Sequence, residues 1–270
     1  MTDTALSTIA LTGAAGRIGR AIRPHLLPLC SELRLLDAAP VQAEDPRETA
    51  HQLDLADRAA LQRALEGCDA VVHFAGYPRE AGWDTLLAAN VVGVANLWEA
   101  AHAAGVQRIV YASSNHAVGL YPRSQTIDGT ASPLPDSRYG VSKVFMEALA
   151  AMYAIKHGVR GFGLRIGHCS AAPADARALS HWIHPEDLAQ LVQVGLTADY
   201  VHEIVYGASD NKRSWWDNRR AQELGYQPRH SADPHATALE NLQSGDAVAE
   251  HFQGGSFAAA GFDNGRAPFL

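Results

Sequence analysis

One short stretch of the chain pairs a phenol with an ammonium group at a spacing suited to proton transfer. Tyr139 and Lys143 are four residues apart in a segment of helical pattern, and side chains four apart share one face of a helix. A free phenol is a poor base at neutral pH because its pKa is about 10. A cation held beside it favours the phenolate, which would make Tyr139 a useful general base.

A Tyr-x-x-x-Lys pair alone is weak evidence for a catalytic site, because most such pairs are a half-buried aromatic and a solvated lysine. Support comes from a glycine-rich turn between a predicted strand, residues 7–12, and a predicted helix, residues 20–29. Its motif, G-x-x-G-x-x-G, lets backbone amides approach a pyrophosphate at the positive end of a helix. A glycine-rich turn without a ligand is the alternative. The residues predicted to bind a dinucleotide there are Gly13, Gly16, Arg17, Ile18 and Gly19.

A carboxylate ends the second predicted strand, residues 33–37. Asp37 lies 18 residues after Gly19, near the distance at which an acidic residue accepts hydrogen bonds from the adenosine ribose. Its charge would repel a 2′-phosphate, and no arginine follows at residues 38–40, so NAD is favoured over NADP. The competing interpretation is a simple turn carboxylate at the end of a strand.

The next loop is expected to reach the adenine. Asp54 and Leu55 lie between a third predicted strand, residues 49–53, and a helix over residues 58–66. In a dinucleotide-binding fold, Asp54 would accept a hydrogen bond from the adenine amino group. Alternatively, Asp54 or Asp57 caps the following helix.

A small residue and an amide follow the fourth predicted strand, residues 69–74. Ala75 leaves space for a cofactor lying across the edge of the sheet. Asn90, within a helix predicted over residues 83–104, either helps to orient Lys143 below the cofactor or is a surface amide. The buried face predicted for that helix consists of Leu86, Leu87, Val91, Val94, Leu97 and Trp98.

Strands and helices alternate through the first half of the chain, which indicates an α/β, Rossmann-type fold with a doubly wound parallel sheet. Ligands of such sheets bind beyond the carboxyl ends of the strands, where every motif above lies. Strands five and six, residues 106–112 and 159–166, also supply polar or lining residues at these ends. They are Ser113, Ser114, Asn115, His116 and Ile166.

The rest of the chain is expected to complete the sheet. Residues 1–166 are predicted to form the NAD-binding core, and residues 167–270 a mixed segment with a reduced substrate-binding region, in one structural unit. Helices are predicted over residues 186–196 and 214–224, with a returning strand over residues 203–206. About a hundred residues after strand six leave little room for a nucleotide pocket, which favours a small substrate.

Composition narrows the class of protein further. The chain has 270 residues, 47% of them apolar and 19% charged, which is ordinary for a globular domain with a sizeable core. A formal charge of −7 without a basic block argues against nucleic-acid binding. Three scattered cysteines, no apolar run approaching about 18 residues and no basic N-terminal segment favour a cytoplasmic protein without membrane contact. The histidines lack zinc-site spacing, so no metal site is predicted.

Taken together, these motifs resemble the extended short-chain dehydrogenase/reductases. The glycines of the turn, Asp37, Asn90 and a serine ahead of the Tyr-x-x-x-Lys pair carry the resemblance over residues 7–225. It implies that Tyr139 is the general base and that Lys143 lowers its pKa and binds the nicotinamide ribose. Ser113 or Ser114 would orient the substrate hydroxyl, with Ser113 preferred because it ends the predicted strand.

Longer segments are similar to the uronate dehydrogenases over nearly the whole chain. They include residues 113–122, 139–143, 179–182, 215–218 and 252–257. This resemblance implies oxidation of galacturonate or glucuronate by NAD at the anomeric carbon, C1, to an aldarolactone. It also implies a substrate site that contains Asn115, His116, Arg177 and Phe257.

Arg177 suits the carboxylate of a uronate, because a guanidinium grips a carboxylate with two parallel hydrogen bonds. It lies in a loop after strand six, and the alternative is a surface arginine paired with Asp175. Two positions depart from the family, which has serines where this chain has Pro78 and His168. Proline cannot donate a hydrogen bond and histidine titrates near neutral pH, so the sugar and its anomer stay open. His168 itself is a candidate to bond the sugar.

Three alternative functions remain open at this stage. They are a nucleotide-sugar epimerase, a dehydrogenase of another small sugar, and an NAD-sensing protein without turnover. The intact Tyr139/Lys143 pair argues against the last. A homo-oligomer that assembles through the helices at residues 83–104 and 139–157 is expected from the relatives.

Overall fold

Nine strands make up the β-structure of the computed structural model, which describes residues 6–264. The strands are β1 (Leu6–Thr12), β2 (Cys30–Asp37), β3 (Glu48–Gln52), β4 (Ala70–His73), β5 (Arg108–Ser114), β6 (Arg160–Ile166), β7 (His168–Cys169), β8 (Trp182–Ile183) and β9 (His202–Gly207). Seven of them form a parallel sheet in the order β3-β2-β1-β4-β5-β6-β9, and β7 pairs with β8.

Helices connect the strands and cover both faces of the sheet. They are α1 (Arg17–Leu26), α2 (Arg58–Leu65), α3 (Trp83–Leu86), α4 (Gly93–Ala103), α5 (Arg138–His157), α6 (Ala178–His181), α7 (Pro185–Thr197), α8 (Arg219–Glu223), α9 (Ala236–Leu239), α10 (Ala247–His251) and α11 (Ser256–Ala259). Short 3-10 turns occur at Leu27–Leu29, Asn115–Val118 and Asp233–His235, and a π-helical turn at Leu87–Val92.

The central strands are apolar runs because both of their faces are buried. One core lies between the sheet and the helices α1 and α7, and it includes Ile9, Leu11 and Leu191. A second core lies under α2, α4 and α5, and it includes Val71, Ile109 and Trp98. The prediction of a doubly wound parallel sheet is confirmed.

The chain order of the strands reverses between β1 and β4. Crossovers on opposite faces leave a crevice at the carboxyl ends of such neighbouring strands. The ends of β2, β5 and β6 open onto the same edge. Every motif of the predicted site is therefore brought to one side of the sheet.

Two helix predictions need correction. Leu87 was assigned to a buried face but is 45% exposed, because the π-helical turn over Leu87–Val92 winds by more residues than an α-turn and rotates the face. The helix expected over residues 214–224 begins only at Arg219. Before it, the backbone pairs with Ile127, whose N–H donates to the carbonyl of Trp215 at 3.1 Å.

The C-terminal segment returns to the site. Phe252 pairs with Pro122 in an antiparallel bridge, and the N–H of Gln253 donates to the carbonyl of Tyr121 at 2.9 Å. Phe252 is buried and Phe257 is partly buried, as expected of a docked tail. Phe269, which belonged to the same expectation, lies outside the described residues. Within residues 6–264, no helix combines the length and apolar character that crossing a membrane requires.

Candidate active site

A cleft of about 470 Å³ runs along the carboxyl edge of β1, β2 and β4. An adjoining cavity of about 550 Å³ extends it over the start of α1. The predicted cofactor residues that line the first are Gly13, Gly16, Asp37, Asp54, Leu55 and Ala75, and those that line the second include Arg17, Ile18 and Gly19.

The turn at the start of α1 requires its glycines. Gly13 has φ +73°, and a Cβ there would lie 2.6 Å from the backbone of Phe74 and Ala75. A Cβ on Gly19 would lie 2.2 Å from the carbonyl oxygen of Gly13. The backbone therefore approaches the helix start with no side chain in the way, which fits a bound pyrophosphate.

Two aspartates line one end of the cleft. Asp37 accepts from the backbone N–H of Ala15 and of Ala39, each at 2.9 Å, so its carboxylate is held at the lip of the cleft. Asp54 lines the cleft, whereas Asp57 is the residue that caps α2, accepting from Ala60 at 2.9 Å. Asp57 thus takes the capping role, and adenine binding by Asp54 stays a prediction.

Asn90 is neither a surface amide nor a lining residue of the cleft. It is 1% exposed, accepts from the N–H of Tyr77 at 2.7 Å and donates to Ser142 Oγ at 3.1 Å. It therefore ties the loop after β4 to α5. The alternative of a surface amide is therefore wrong, and a direct contact of Asn90 with the cofactor stays a prediction.

The Tyr139/Lys143 pair lies at the start of α5, which the Ser137 hydroxyl caps by accepting from Gly140 at 3.0 Å. Lys143 donates from Nζ to the carbonyl of Ala112 at 2.8 Å, and its Nζ is 5.4 Å from the centroid of the Tyr139 ring. Both side chains line a pocket of about 200 Å³ that adjoins the cofactor cleft. The helical spacing brings the phenol and the ammonium together as predicted.

Burial dominates the ionisation of this pair. It raises the pKa of Tyr139 to about 12, with a smaller raising effect from Asp136 and a lowering hydrogen bond from Ser114. Burial also lowers the pKa of Lys143 to about 8, against a raising effect of Glu147. Desolvation of the phenolate dominates this shift and Lys143 is not among its causes, so the expectation that Lys143 lowers the pKa of Tyr139 stays a prediction.

The two serines at the end of β5 point to opposite faces, as successive strand residues do. Ser113 donates from Oγ to Glu147 Oε1 at 2.5 Å, and Glu147 is paired with the buried Arg165 at 2.9 Å. Ser114 is the serine whose side chain lowers the pKa of the Tyr139 phenol. Both serines line the pocket, but the Ser113 hydroxyl is engaged by Glu147, which favours Ser114. Which serine is catalytic stays a prediction.

Three aromatic rings pack together beside the pocket that contains Tyr139. The His116 ring stacks on Phe257 with centroids 4.0 Å apart, and it meets the Tyr139 ring edge-on at 5.8 Å. Its Nδ1 lies 2.7 Å from the carboxylate of Asp136. His116 thus stands between the predicted general base and the C-terminal segment.

Arg177 is partly buried and immediately precedes α6, rather than lying in an open loop. It donates from Nε and Nη2 to the carbonyl of Gln253 at 3.0 and 2.5 Å, and from Nη1 to His181 Nε2 at 2.7 Å. With the Asn115 amide oriented to satisfy its neighbours, Nη2 also donates to Asn115 at 3.0 Å. The alternative of a surface ion pair with Asp175 is wrong, since that carboxylate accepts from Ala178 instead.

The direct hydrogen-bond partners of Arg177 carry no negative charge, whereas Asp175, Asp136 and Glu250 act on it from a greater distance. Burial, and secondarily Arg123, lowers the pKa of Arg177 to about 10. Burial and the adjacent guanidinium also hold the pKa of His181 well below its ordinary value, so that ring is neutral. A partly buried cation whose direct partners are all uncharged favours an anionic ligand.

His168 and Pro78, the two departures from the family pattern, both line the 200 Å³ pocket, as does Ile166. Burial lowers the pKa of His168, with Arg17 as the next cause, so its imidazole is neutral at physiological pH. A neutral ring offers one donor and one acceptor nitrogen.

Comparison with known proteins agrees with this geometry. The model of the NAD dependent epimerase/dehydratase family matches residues 9–218. Uronate dehydrogenase of Pseudomonas putida is 42% identical over 97% of this chain and 99% of its own length. The chain belongs to the NAD dependent epimerase/dehydratase family.

Solved structures of this family extend the likeness to three dimensions. A glucuronic acid dehydrogenase from Chromohalobacter salexigens has a TM-score of 0.90 at 40% identity, over 95% of this chain and 98% of that one. A tyrosine-to-alanine mutant of uronate dehydrogenase from Agrobacterium tumefaciens, complexed with NAD, has a TM-score of 0.88 at 38% identity, over 94% and 97%. The resemblance to the uronate dehydrogenases and the expectation of an NAD-dependent oxidoreductase are confirmed.

A cluster of two histidines and one glutamate lies outside this site. His184, Glu186 and His230 lie together at the start of α7, although sequence spacing gave no hint of this grouping. His230 Nε2 lies 2.9 Å from the Glu186 carboxylate, and the two imidazoles stack with centroids 3.7 Å apart. An ion pair and ring stacking account for the cluster, and the expectation of no metal site stays a prediction.

Sequence analysis did not identify three residues near the site. Asp136 holds His116, Glu147 holds Ser113 and Arg165, and Gln253 holds Arg177. Glu147 could have been found as the residue four after Lys143 on one helix face. Asp136 and Gln253 act across long sequence separations and carry no local signal.

Proposed function

We propose that the protein oxidises a hexuronate, galacturonate or glucuronate, at C1 with NAD as acceptor, giving the aldarolactone. The observation that carries this proposal is the partly buried Arg177, whose hydrogen-bond partners are Gln253, His181 and Asn115, all uncharged. Asn115 also lines the pocket that contains Tyr139 and Lys143. A substrate carboxylate at this arginine would supply an anionic partner in direct contact.

Tyr139 acts as the general base. It takes the proton of the C1 hydroxyl while the C1–H bond releases hydride and the C1–O bond becomes a carbonyl. Ser114, which hydrogen-bonds the phenol, orients that hydroxyl. NAD, when bound, accepts the hydride and adds a positive charge that favours the phenolate.

Lys143 and the nearby loops hold the reactants in place. The ammonium of Lys143 donates to the carbonyl of Ala112 at 2.8 Å and faces the pocket, where the nicotinamide ribose would bind. Asn115, His116 and His168 line the pocket and would bond the sugar hydroxyls. Phe257 covers the His116 ring and helps to exclude water from the reaction.

The direct test is NADH absorbance with galacturonate, glucuronate, glucose and galactose, each with NAD and with NADP. We expect stoichiometric NADH from the two uronates, and much slower reaction with the neutral aldoses and with NADP. Equal rates with glucose and glucuronate would indicate a dehydrogenase of another small sugar. Conversion of a nucleotide-sugar without net NADH would indicate an epimerase instead.

A further inference from the structure

A buried carboxylate that the proposed reaction does not use lies directly behind the sugar side of the pocket. The Asp136 side chain is 0% exposed, and His116 beside it is 14% exposed. Asp136 Oδ2 lies 2.7 Å from His116 Nδ1, and its Oδ1 accepts from the Ser137 hydroxyl at 2.7 Å. The Asp136 N–H also donates to the His116 carbonyl at 3.3 Å, so main chain and side chain both fix the pair.

Two glycines make room for this carboxylate. A Cβ on either Gly119 or Gly254 would lie 1.9 Å from Asp136 Oδ2. The Gly254 N–H donates to the carbonyl of Gly119 at 2.7 Å, which closes the C-terminal segment over the carboxylate. Asp136 is therefore confined to one position, and any larger residue at either glycine would displace it.

The contact decides which nitrogen of His116 carries the proton. An ionised carboxylate can only accept, so Nδ1 must be protonated to donate to Asp136. In a neutral imidazole the second nitrogen, Nε2, then keeps its lone pair. One ring face is covered by Phe257, and the ring lines the pocket with Tyr139, which leaves the Nε2 edge for a ligand.

We infer that Asp136 is a positioning residue that fixes His116 in the Nδ1–H tautomer, so that Nε2 accepts a hydrogen bond from a sugar hydroxyl other than the one oxidised. The inference rests on the proposed function. An imidazole of the opposite tautomer would present an N–H at the same place, and would donate to the sugar hydroxyl instead of accepting from it.

The first test is Asp136→Asn. An amide has one acceptor and one donor group, whereas Ser137 and His116 both require an acceptor, so one of the two bonds is lost. We expect the KM for the uronate to rise about tenfold, the cost of about one hydrogen bond, with a smaller change in kcat. The affinity for NAD should stay within about twofold, because Asp136 lies outside the cofactor cleft. Asp128→Asn, at an exposed turn aspartate bonded to Thr130, is the matched control and should leave all three values unchanged.

A double-mutant cycle separates positioning from a merely structural role. In a His116→Ala background, Asp136→Asn should change the uronate KM by less than about twofold, since its target is gone. A further tenfold rise in that background, or an unchanged KM in the single Asp136→Asn variant, would overturn the inference.

Nitrogen-15 NMR of the imidazoles supplies a readout that needs neither turnover nor the Asp136 variant. The His116 resonances, assigned by their loss in His116→Ala, should show protonated Nδ1 and unprotonated Nε2 in the wild-type protein. Protonation at Nε2 alone would refute the inference even if uronate oxidation is observed. Absence of uronate oxidation with the expected tautomer would instead refute the proposed function.

Discussion

At the residue scale, burial of Tyr139 and Lys143 opposes the ionisation of both side chains. Burial raises the pKa of Tyr139 to about 12 and lowers that of Lys143 to about 8, and both shifts oppose the charged forms that proton abstraction needs. The Ser114 hydrogen bond works in the opposite direction. In the proposed mechanism, the positive charge of the bound cofactor would favour the phenolate, which would couple the base to the cofactor.

Tyr139→Phe is expected to lower kcat for uronate oxidation by about 100- to 10,000-fold, the usual contribution of a general base. The ring and its contacts with His116 and Phe257 stay in place, so NAD binding should be unchanged by calorimetry. Tyr153→Phe, on the same helix and outside the pocket, is the control and should retain activity. Full turnover in the Tyr139 variant would remove this residue from the mechanism.

Arg177→Ala tests recognition of the carboxylate. Loss of charge-assisted hydrogen bonds should raise the KM for uronates by about 10- to 100-fold, while the KM for neutral aldoses changes little. Initial rates with glucuronate and glucose measure the contrast. Because Arg177 also bonds Gln253, thermal unfolding should be recorded alongside. Equal effects on both sugars would contradict carboxylate binding at this position.

Sequence reasoning at this scale succeeded where the signal is local. The glycines of the turn and the Tyr139/Lys143 pair are each defined by spacing within one element. It preferred Ser113 over Ser114 from position alone, because the contact of Ser113 with Glu147, 34 residues away, leaves no local signal. It could not find Gln253 beside Arg177, since their contact joins segments 76 residues apart.

At the element scale, the strands were predictable because apolar runs between turn signals mark a buried parallel sheet. The π-helical turn over Leu87–Val92 was not, because its residues have an ordinary helical pattern. The predicted helix at α8 was too long for a related reason. Ser214 to Asp217 are compatible with helix, but their backbone pairs with Ile127, a tertiary contact that no local pattern reveals.

An ion pair between α1 and β3 allows a prediction about the stability of these elements. Glu48 accepts from Arg23 at 2.6 and 2.5 Å, with both side chains nearly buried. Glu48→Gln should lower the free energy of unfolding at pH 7 by about 3 kcal/mol, the cost of breaking a buried pair. Urea denaturation measures the change.

The pH dependence of this effect has a definite sign. The hydrogen bonds of Arg23 are the largest cause that lowers the pKa of Glu48 from 4.5 to about 2. The carboxylate therefore stabilises the fold above pH 4.5, and the contribution is lost as the pH falls toward 2. The difference between wild type and Glu48→Gln should shrink over that interval. A difference independent of pH would show that packing, not charge, accounts for it.

At the scale of the whole molecule, one apolar stripe on α5 faces solvent. Val141 is 44%, Met152 40% and Ile155 75% exposed, and Leu87 and Val92 on the packed neighbouring segment are also exposed. Such a patch is typical of a surface that a second copy covers. We propose that the protein is a homo-oligomer assembled through this face.

Ile155→Glu should therefore shift the protein to a smaller species in light scattering, because a buried carboxylate without a partner is costly. Leu242→Glu, at an apolar residue outside this stripe that is 54% exposed, is the control and should leave the mass unchanged. A monomeric wild-type protein would refute the assembly. Uronate oxidation by the dispersed variant would show that each subunit is catalytically complete.

The segment that contains Gln253 closes one side of the site and leaves the other alone. The main cleft is lined by residues between Thr12 and Ala89. The Gln253 carbonyl accepts from Arg177, and the Phe257 ring stacks on His116. Loss of this segment would therefore remove partners of Arg177 and His116 while keeping the whole lining of the main cleft.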